Sequence, residues 1–217
     1  MPVRTHLINR NNITVVTELL DRNVERLGFV GGVGHCLDCI MPNGGPPGDE
    51  TQIDIDCGAA PQCRLNTAES DRTDAFPIGD LADPGLNSVP ATAAKPMFGI
   101  CKAGIASAPN MDECFGTIST ATQSRNAELR LIRSYGYLLR CARLEPIDMP
   151  VVSIPTAAEA EDRALDAAAR LKRQAADVLV LGCAGMARYR TALRARLGLP
   201  GVDPSAVAMA MGIVALG

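Results

Sequence analysis

Cys183 is the residue whose type and surroundings point most directly to chemistry. It follows four large apolar residues, Val178 to Leu181, and the turn residue Gly182. An uninterrupted apolar run of this length is typical of a strand buried on both faces in a parallel sheet. The composition of residues 187–197 then predicts a helix. Such a unit places its turn at the carboxyl edge of the sheet, where α/β proteins bind ligands. Cys183 is therefore a candidate acid or base, and the alternative is a small buried apolar side chain.

An earlier stretch of the chain repeats this pattern. Residues 74–82 (DAFPIGDLA) run parallel to residues 177–185 (DVLVLGCAG), with an opening Asp, an apolar run, a Gly and a residue able to move a proton. Each stretch is followed by a predicted helix and a Lys-Pro or Leu-Pro step into another apolar run. The repeat places Asp80 where the second stretch has Cys183. Two similar halves that each supply one acid or base predict proton transfer on both faces of one carbon.

These stretches belong to an ordered set of motifs that resembles the aspartate/glutamate/hydantoin racemase superfamily, and within it the hydantoin and allantoin racemase branch most closely. The motifs are LINRNN (7–12), GPPGDETQID (45–54), DAFPIGDLADPGL (74–86), KPMFGICKAG (95–104), FGTISTA (115–121) and VLVLGCAGM (178–186). The resemblance covers almost the whole chain. It implies a cofactor-independent racemase or epimerase that acts on a hydantoin-like cyclic ureide or an amino-acid derivative.

The resemblance also implies which residues form the active site. Asp80 and Cys183 would be the catalytic acid/base pair, with the Cys183 thiolate favoured by the N–H groups at a helix start. The substrate would be held by the side chain of Asn9, by the hydroxyls of two residues after a strand, and by backbone N–H groups in the two turns. These hydroxyl and N–H donors are Ser119, Thr120, Leu81, Ala82, Ala184 and Gly185.

The sequence departs from the family pattern at several of these positions. The racemases of the family have cysteine on both sides of the substrate carbon, whereas this chain has Asp80 on one side. Arg10 and Asn12 replace the Pro and Thr that follow the first Asn of the family's first motif, and Lys102 stands where the family has Glu. A carboxylate can still act as a base, and burial would raise its pKa toward a useful range. An unequal pair is expected to favour one direction of racemisation or a different outcome at the same carbon.

Two further functions remain as alternatives to racemisation. One is a lyase, a decarboxylase in particular, or a hydrolase that uses Cys183 on a related small substrate. The other is a catalytically idle binding protein that kept the fold. A deuterium-exchange assay distinguishes these functions. Only an enzyme that transfers a proton incorporates solvent deuterium at the substrate carbon.

Composition restricts the partners that the protein is expected to have. The chain of 217 residues has 47% hydrophobic residues, a formal net charge of −3 and a pI near 5.4. We expect a small-molecule substrate and no nucleic acid, since the chain has no excess of basic residues that would attract a nucleic acid. No apolar run reaches the roughly 18 residues that span a membrane, and residues 1–6 lack the apolar region of a secretory signal. We therefore expect a cytoplasmic protein with mostly reduced cysteines. We also expect it to be a homo-oligomer.

Four cysteines in the first half raise the question of a metal site. Cys36 and Cys39 form a Cys-x-x-Cys pair next to His35, but Cys57 and Cys63 are six residues apart and no second His follows. This spacing does not complete a zinc ligand set. We interpret all four as cysteines of a Gly- and Pro-rich loop and expect no metal and no cofactor.

The alternation of strand and helix patterns predicts an α/β fold with parallel sheets. The internal repeat predicts two similar Rossmann-like lobes related by pseudo-twofold symmetry, with the active site in the cleft between them. We place the first lobe at residues 1–96 plus 205–217 and the second at 97–204. Within the first lobe, we expect Asp83 to cap a helix that has Pro84 at its first position. The family resemblance implies that the last helix, 204–216, folds back onto the first half.

Overall fold

The computed structural model describes residues 4–9, 18, 20, 22, 35–39, 71–87 and 93–216. Its strands are parallel and alternate with helices, which confirms the predicted α/β class. The chain divides into two compact units, the first made of residues 1–100 plus 205–217 and the second of residues 101–204. No described helix is both long enough and apolar enough to cross a membrane.

The sheet of the first unit has four described strands. They are β1 (Thr5–Asn9), β2 (His35–Cys39), β3 (Phe76–Ile78) and β4 (Met97–Gly99), in the order β2-β1-β3-β4. Strand β3 is buried along its length, as expected for a central strand. The C-terminal helix of the chain, Pro204–Leu216, belongs largely to this unit. It approaches the sheet at Gly212, where a Cβ atom would lie 3.4 Å from the side chains of Ala75 and Thr5.

The sheet of the second unit repeats this topology. Its strands are β5 (Phe115–Ser119), β6 (Cys141–Pro146), β7 (Val178–Leu181) and β8 (Gly201–Val202), in the order β6-β5-β7-β8. The helices between β4 and the C-terminal helix are α1 (Ile100–Ser107), α2 (Arg125–Ser134), α3 (Ala160–Arg173) and α4 (Arg190–Leu197). Helix α3 buries alanines and leucines against Ile118, Leu179 and Leu181, which form the core of this unit. The C-terminal helix is α5.

Equivalent hydrogen bonds show that the two sheets repeat in detail. The opening aspartates have the same role, since the Asp74 carboxylate accepts the N–H of Arg4 (2.9 Å) and the Asp177 carboxylate that of Cys114 (3.2 Å). At the other end of each sheet, Gly79 donates to the carbonyl of Ile8 (2.7 Å). Gly182 likewise donates to the carbonyl of Ile118 (2.8 Å). The sequence repeat therefore corresponds to a structural repeat, and β3 and β7 are equivalent strands.

Three local predictions for the first half differ from the structure. Cys36 and Cys39 lie in strand β2 and not in a loop, while Cys57 and Cys63 fall outside the described residues. Residues 81–87 form turns, so the predicted helix at Asp83-Pro84 is wrong over this stretch. Strand β4 pairs with β3 in the first sheet, whereas a boundary at residue 97 would assign it to the second lobe.

Candidate functional site

Cys183 is the second residue after β7, at the carboxyl end of the second sheet. Its backbone is extended (φ −154°, ψ 140°), and a 3₁₀ segment, Ala184–Tyr189, follows and leads into α4. The strand residues Val178 to Leu181 are buried, whereas Cys183 is half-buried. Its side chain packs at the margin of the core of this unit. Cys183 thus has an extended backbone and is half-buried, which differs from the fully buried alternative.

The turn of residues 150–156 is held beside Cys183 by two side chains of the 3₁₀ segment. Tyr189 donates its buried hydroxyl to the carbonyl of Ile154 (2.6 Å), and Arg188 donates to the carbonyl of Pro155. Burial raises the pKa of Tyr189, so the hydroxyl keeps the proton that this bond requires. A Cβ atom on Gly185 would lie 3.5 Å from Ile154 and Pro155 and 3.6 Å from the Cys183 sulfur. Gly185 therefore leaves a space about one methyl group wide next to the sulfur.

Gly182 fixes the position of Cys183 through a close backbone approach. A Cβ atom on Gly182 would overlap the carbonyl oxygen of Ile118 in the adjacent strand. We expect Gly182→Ala to lower the free energy of unfolding by at least about 2 kcal/mol, because backbone atoms have to move apart. Gly185→Ala is the matched control, since its neighbours lie at ordinary van der Waals distances. It should stay within about 1 kcal/mol of wild type in urea unfolding, and equal losses in the two variants would contradict this account.

Asp80 occupies the equivalent position in the first sheet, two residues after β3. One oxygen of its carboxylate accepts the backbone N–H of Ala82 (2.7 Å), and its carbonyl accepts the N–H of Asp83 (3.1 Å). These bonds define a turn stabilised by the Asp side chain. They also change the predicted role of Ala82, because its N–H is donated to Asp80 and not directed at a ligand. Asp80 is half-buried, and Leu81 is half-buried as well.

Asp83 has a structural role that differs from the predicted helix cap. It is 4% exposed, and its backbone is left-handed (φ 44°). Its carboxylate lies against Gly99, where any Cβ atom would overlap it. The contact joins the turn after β3 to the end of β4, just before α1 begins. Asp83 therefore fixes the turn that carries Asp80 and Leu81.

The first strand of each sheet ends in a polar residue at the same edge. Asn9 follows Ile8 in β1, and Ser119 follows Ile118 in β5. The hydrogen bonds of Gly79 and Gly182 place these residues next to the turns of Asp80 and Cys183. Ser119 is 1% exposed and donates its hydroxyl proton to Glu128, while Thr120 is 6% exposed. Ser119 was predicted to donate its hydroxyl proton to a substrate, but in the structure it donates this proton to Glu128.

Glu128 is the residue of this region that sequence reasoning missed. It lies in the first turn of α2, and its two carboxylate oxygens contact the hydroxyls of Ser119 and Ser124. The one available signal is the spacing of Ser124, the residue just before α2, and Glu128, four positions later. Among the described residues, no group of three or more His, Cys, Asp or Glu side chains is placed to hold a metal ion.

The fold and site define an α/β protein in which each of two equivalent sheets presents an ionisable residue two positions after its third strand. A family model described as "Asp/Glu/Hydantoin racemase" matches residues 6–212. The chain therefore belongs to the Asp/Glu/hydantoin racemase family.

Individual relatives agree with this assignment. The chain is 28% identical over 224 residues to a hydantoin racemase from Paenarthrobacter aurescens, covering 99% of this chain and 92% of that protein. It is 29% identical over 155 residues to a hydantoin racemase from Rhizobium meliloti, covering 70% of this chain and 64%, less than two thirds, of that protein. Among solved structures, allantoin racemase from Klebsiella pneumoniae superposes with a TM-score of 0.85 at 26% identity. That match covers 99% of this chain and 89% of the other.

Proposed function

We propose that the protein is a cofactor-independent racemase or epimerase that moves a proton at a carbon next to a carbonyl in a hydantoin- or allantoin-like cyclic ureide. The observation that carries the proposal is the equivalent placement of Asp80 and Cys183, each two residues after the third strand of its sheet. The relatives named hydantoin racemase and allantoin racemase support the choice of ring. Both groups are ordinary acid/base catalysts, and the reaction needs no electron acceptor.

In the proposed reaction, one of the two groups removes the proton from the stereogenic carbon. The electron pair of the broken C–H bond moves into the adjacent carbonyl and gives an enolate. The other group then donates a proton to the opposite face of the same carbon. For one enantiomer Cys183 is the base and Asp80 the acid, and for the other enantiomer the roles reverse. No atom is gained or lost overall.

The enolate oxygen requires hydrogen-bond donors to stabilise its charge. We propose the N–H groups of Leu81, Ala184 and Gly185 for this role, with Asn9 and Thr120 binding the rest of the ring. The N–H of Ala82 is not among the proposed donors, because it is bonded to Asp80. Ser119 also contributes no donor, since its proton is bonded to Glu128.

A second candidate function follows from the hydrogen bond between Asp80 and Ala82. If Asp80 only stabilises its turn, Cys183 is the one acid of the site. A single acid suits a decarboxylase: a geminal carboxylate leaves as CO₂, its bonding electrons form the enolate, and Cys183 donates a proton to the carbon. The two candidates differ in their products, since only decarboxylation releases CO₂.

Proton exchange in D₂O tests the proposed function. Single enantiomers of a 5-substituted hydantoin and of allantoin are incubated with the protein, and NMR and polarimetry follow deuterium content and optical rotation. We expect one deuterium at the stereogenic carbon and loss of rotation, both faster than in a sample without protein. Exchange no faster than that background, with CO₂ released from a 2-substituted malonate, would favour the decarboxylase. The absence of both would contradict an enzyme of either class.

A further inference from the structure

The backbone of Cys183 is hydrogen-bonded on both sides. Before it, the N–H of Gly182 donates to the carbonyl of Ile118 (2.8 Å). After it, the N–H of Met186 donates to the carbonyl of Cys183 itself (2.9 Å). A cysteine then has one torsion left to place its sulfur, with three staggered positions. Which of these positions the sulfur takes therefore depends on the atoms packed around it.

The turn of residues 150–156 supplies apolar atoms on one side of the sulfur. A Cβ atom on Gly185 would lie 3.5 Å from Ile154 Cγ2 and 3.5 Å from Pro155 Cγ. The same point lies 3.6 Å from the sulfur of Cys183, so the three atoms surround one small space. Ile154 is fully buried in the core of this unit, and Cys183 packs at the margin of that core. The position of this turn therefore sets how much room the sulfur has.

Two consecutive carbonyls anchor the turn to the segment that carries Cys183. The buried hydroxyl of Tyr189 donates to the carbonyl of Ile154 (2.6 Å), and the guanidinium of Arg188 donates to the carbonyl of Pro155. The two donors are neighbours in space as well, with the guanidinium carbon 5.7 Å from the centre of the tyrosine ring. Both belong to the 3₁₀ segment that begins directly after Cys183. One short segment thus carries the sulfur and holds the turn beside it.

The hydroxyl of Tyr189 keeps its proton for this bond. Burial raises its pKa, and the charges of Glu161 and Cys183 act in the same direction, while Arg188 lowers it. A thiolate at Cys183 therefore strengthens the hold of Tyr189 on its own proton. Since that proton is donated to the carbonyl of Ile154, Tyr189 acts through the turn and not as an acid or base of the reaction.

We propose that Tyr189 is a positioning residue for Cys183. Its bond to the carbonyl of Ile154 holds the turn of residues 150–156 against the sulfur, and Arg188 holds the same turn one residue further on. The proposal rests on the proposed function, in which the sulfur transfers a proton at the stereogenic carbon. Proton transfer requires the two groups at hydrogen-bond distance, and a misplacement of about 1 Å can cost about 10²-fold in rate.

Alkylation of Cys183 by iodoacetamide tests this contact without a substrate, and peptide mass spectrometry separates Cys183 from the other cysteines. Tyr189→Phe keeps the ring and removes the donor, so the turn should open more often and Cys183 should react about tenfold faster. Arg188→Met, at an exposed position, should act in the same direction by a smaller factor. Rates are compared at the alkaline plateau, where the thiol is ionised in every variant and the charge of Arg188 does not affect its ionisation.

Tyr137→Phe is the matched control, because it removes the hydroxyl of a half-buried tyrosine just before the 3₁₀ turn that precedes β6. Its alkylation rate at Cys183 should stay within about twofold of wild type. Equal rates in Tyr189→Phe and Tyr137→Phe would overturn the proposal, as would slower alkylation in Tyr189→Phe than in wild type.

Kinetics on the ureide test the positioning role itself. Tyr189→Phe should lower kcat about tenfold to a hundredfold with KM within about threefold of wild type, because the misplaced group transfers the proton and the ring-binding groups remain. Ile132→Val, which leaves a small cavity in α2, controls for lost stability and should keep kcat.

An equal fall of kcat in Ile132→Val would reduce the effect to stability and overturn the positioning role. A rise of KM in Tyr189→Phe at unchanged kcat would overturn it as well. A wild-type protein inactive on every ureide would contradict the proposed function. The alkylation rates would still show in that case whether Tyr189 holds the turn against Cys183.

Discussion

Replacing Cys183 with alanine is expected to abolish racemisation while leaving the fold intact. Racemisation needs an acid and a base on opposite faces of one carbon, and Cys183 supplies one of them in each direction of the proposed reaction. Loss of a general acid or base typically costs about 10²- to 10⁴-fold, so the remaining rate should approach the background of the uncatalysed reaction. Alanine can keep the extended backbone at this position, and Cys183 is half-buried at the margin of the core, so its loss should cost little packing. Polarimetry gives the rate, and thermal unfolding checks the fold.

Cys101→Ala is the matched control for this variant. Cys101 is a buried cysteine within α1 and has no role in the proposed reaction. It should lose some stability through its cavity and retain turnover, which is the reverse of what Cys183→Ala should show. Turnover near the wild-type rate in Cys183→Ala would remove Cys183 from the mechanism, whatever the behaviour of Cys101→Ala.

The parts of the fold that the sequence predicts correctly are those specified by local pattern. Residues 74–80 and 177–183 carry the same order of residue types, and the structure places them at the equivalent strands β3 and β7 of two parallel sheets. The opening aspartates and the glycines recur because each makes a backbone hydrogen bond that the topology requires. Such features depend on neighbours in the same short segment, so a repeat in sequence implies a repeat in structure.

The predictions that differ from the structure depend on distant contacts. Strand β2 lies at one end of the described sheet, where a strand can carry polar residues such as His35 and Asp38 that break an apolar pattern. Asp83-Pro84 has the residue types of a helix start, but the contact of Asp83 with Gly99 holds it in a left-handed conformation. Glu128 lies nine residues from Ser119 in the sequence, and only the packing of α2 on β5 brings them together.

Asp80→Asn is expected to abolish racemisation and to leave proton exchange in one enantiomer only. Asparagine retains the oxygen that accepts the N–H of Ala82, so the turn after β3 should persist, but it lacks a basic carboxylate. The enantiomer whose proton Cys183 removes can still form the enolate. Its carbon is then reprotonated from the same face and takes up deuterium without inversion. The other enantiomer should exchange about 10²- to 10⁴-fold more slowly than with wild type. Parallel deuterium NMR and chiral chromatography on the two pure enantiomers measure both effects.

Asp80→Cys complements this variant, because it supplies the cysteine that the racemases of the family have at this position. The thiol restores an acid or base but loses the hydrogen bond to Ala82, so some stability should be lost. Racemisation of a plain 5-substituted hydantoin should return to at least the wild-type rate. Inversion of both enantiomers at the wild-type rate in Asp80→Asn would show that Asp80 only stabilises its turn. Cys183 would then be the single acid of the site, and the decarboxylase would become the better account of the same fold.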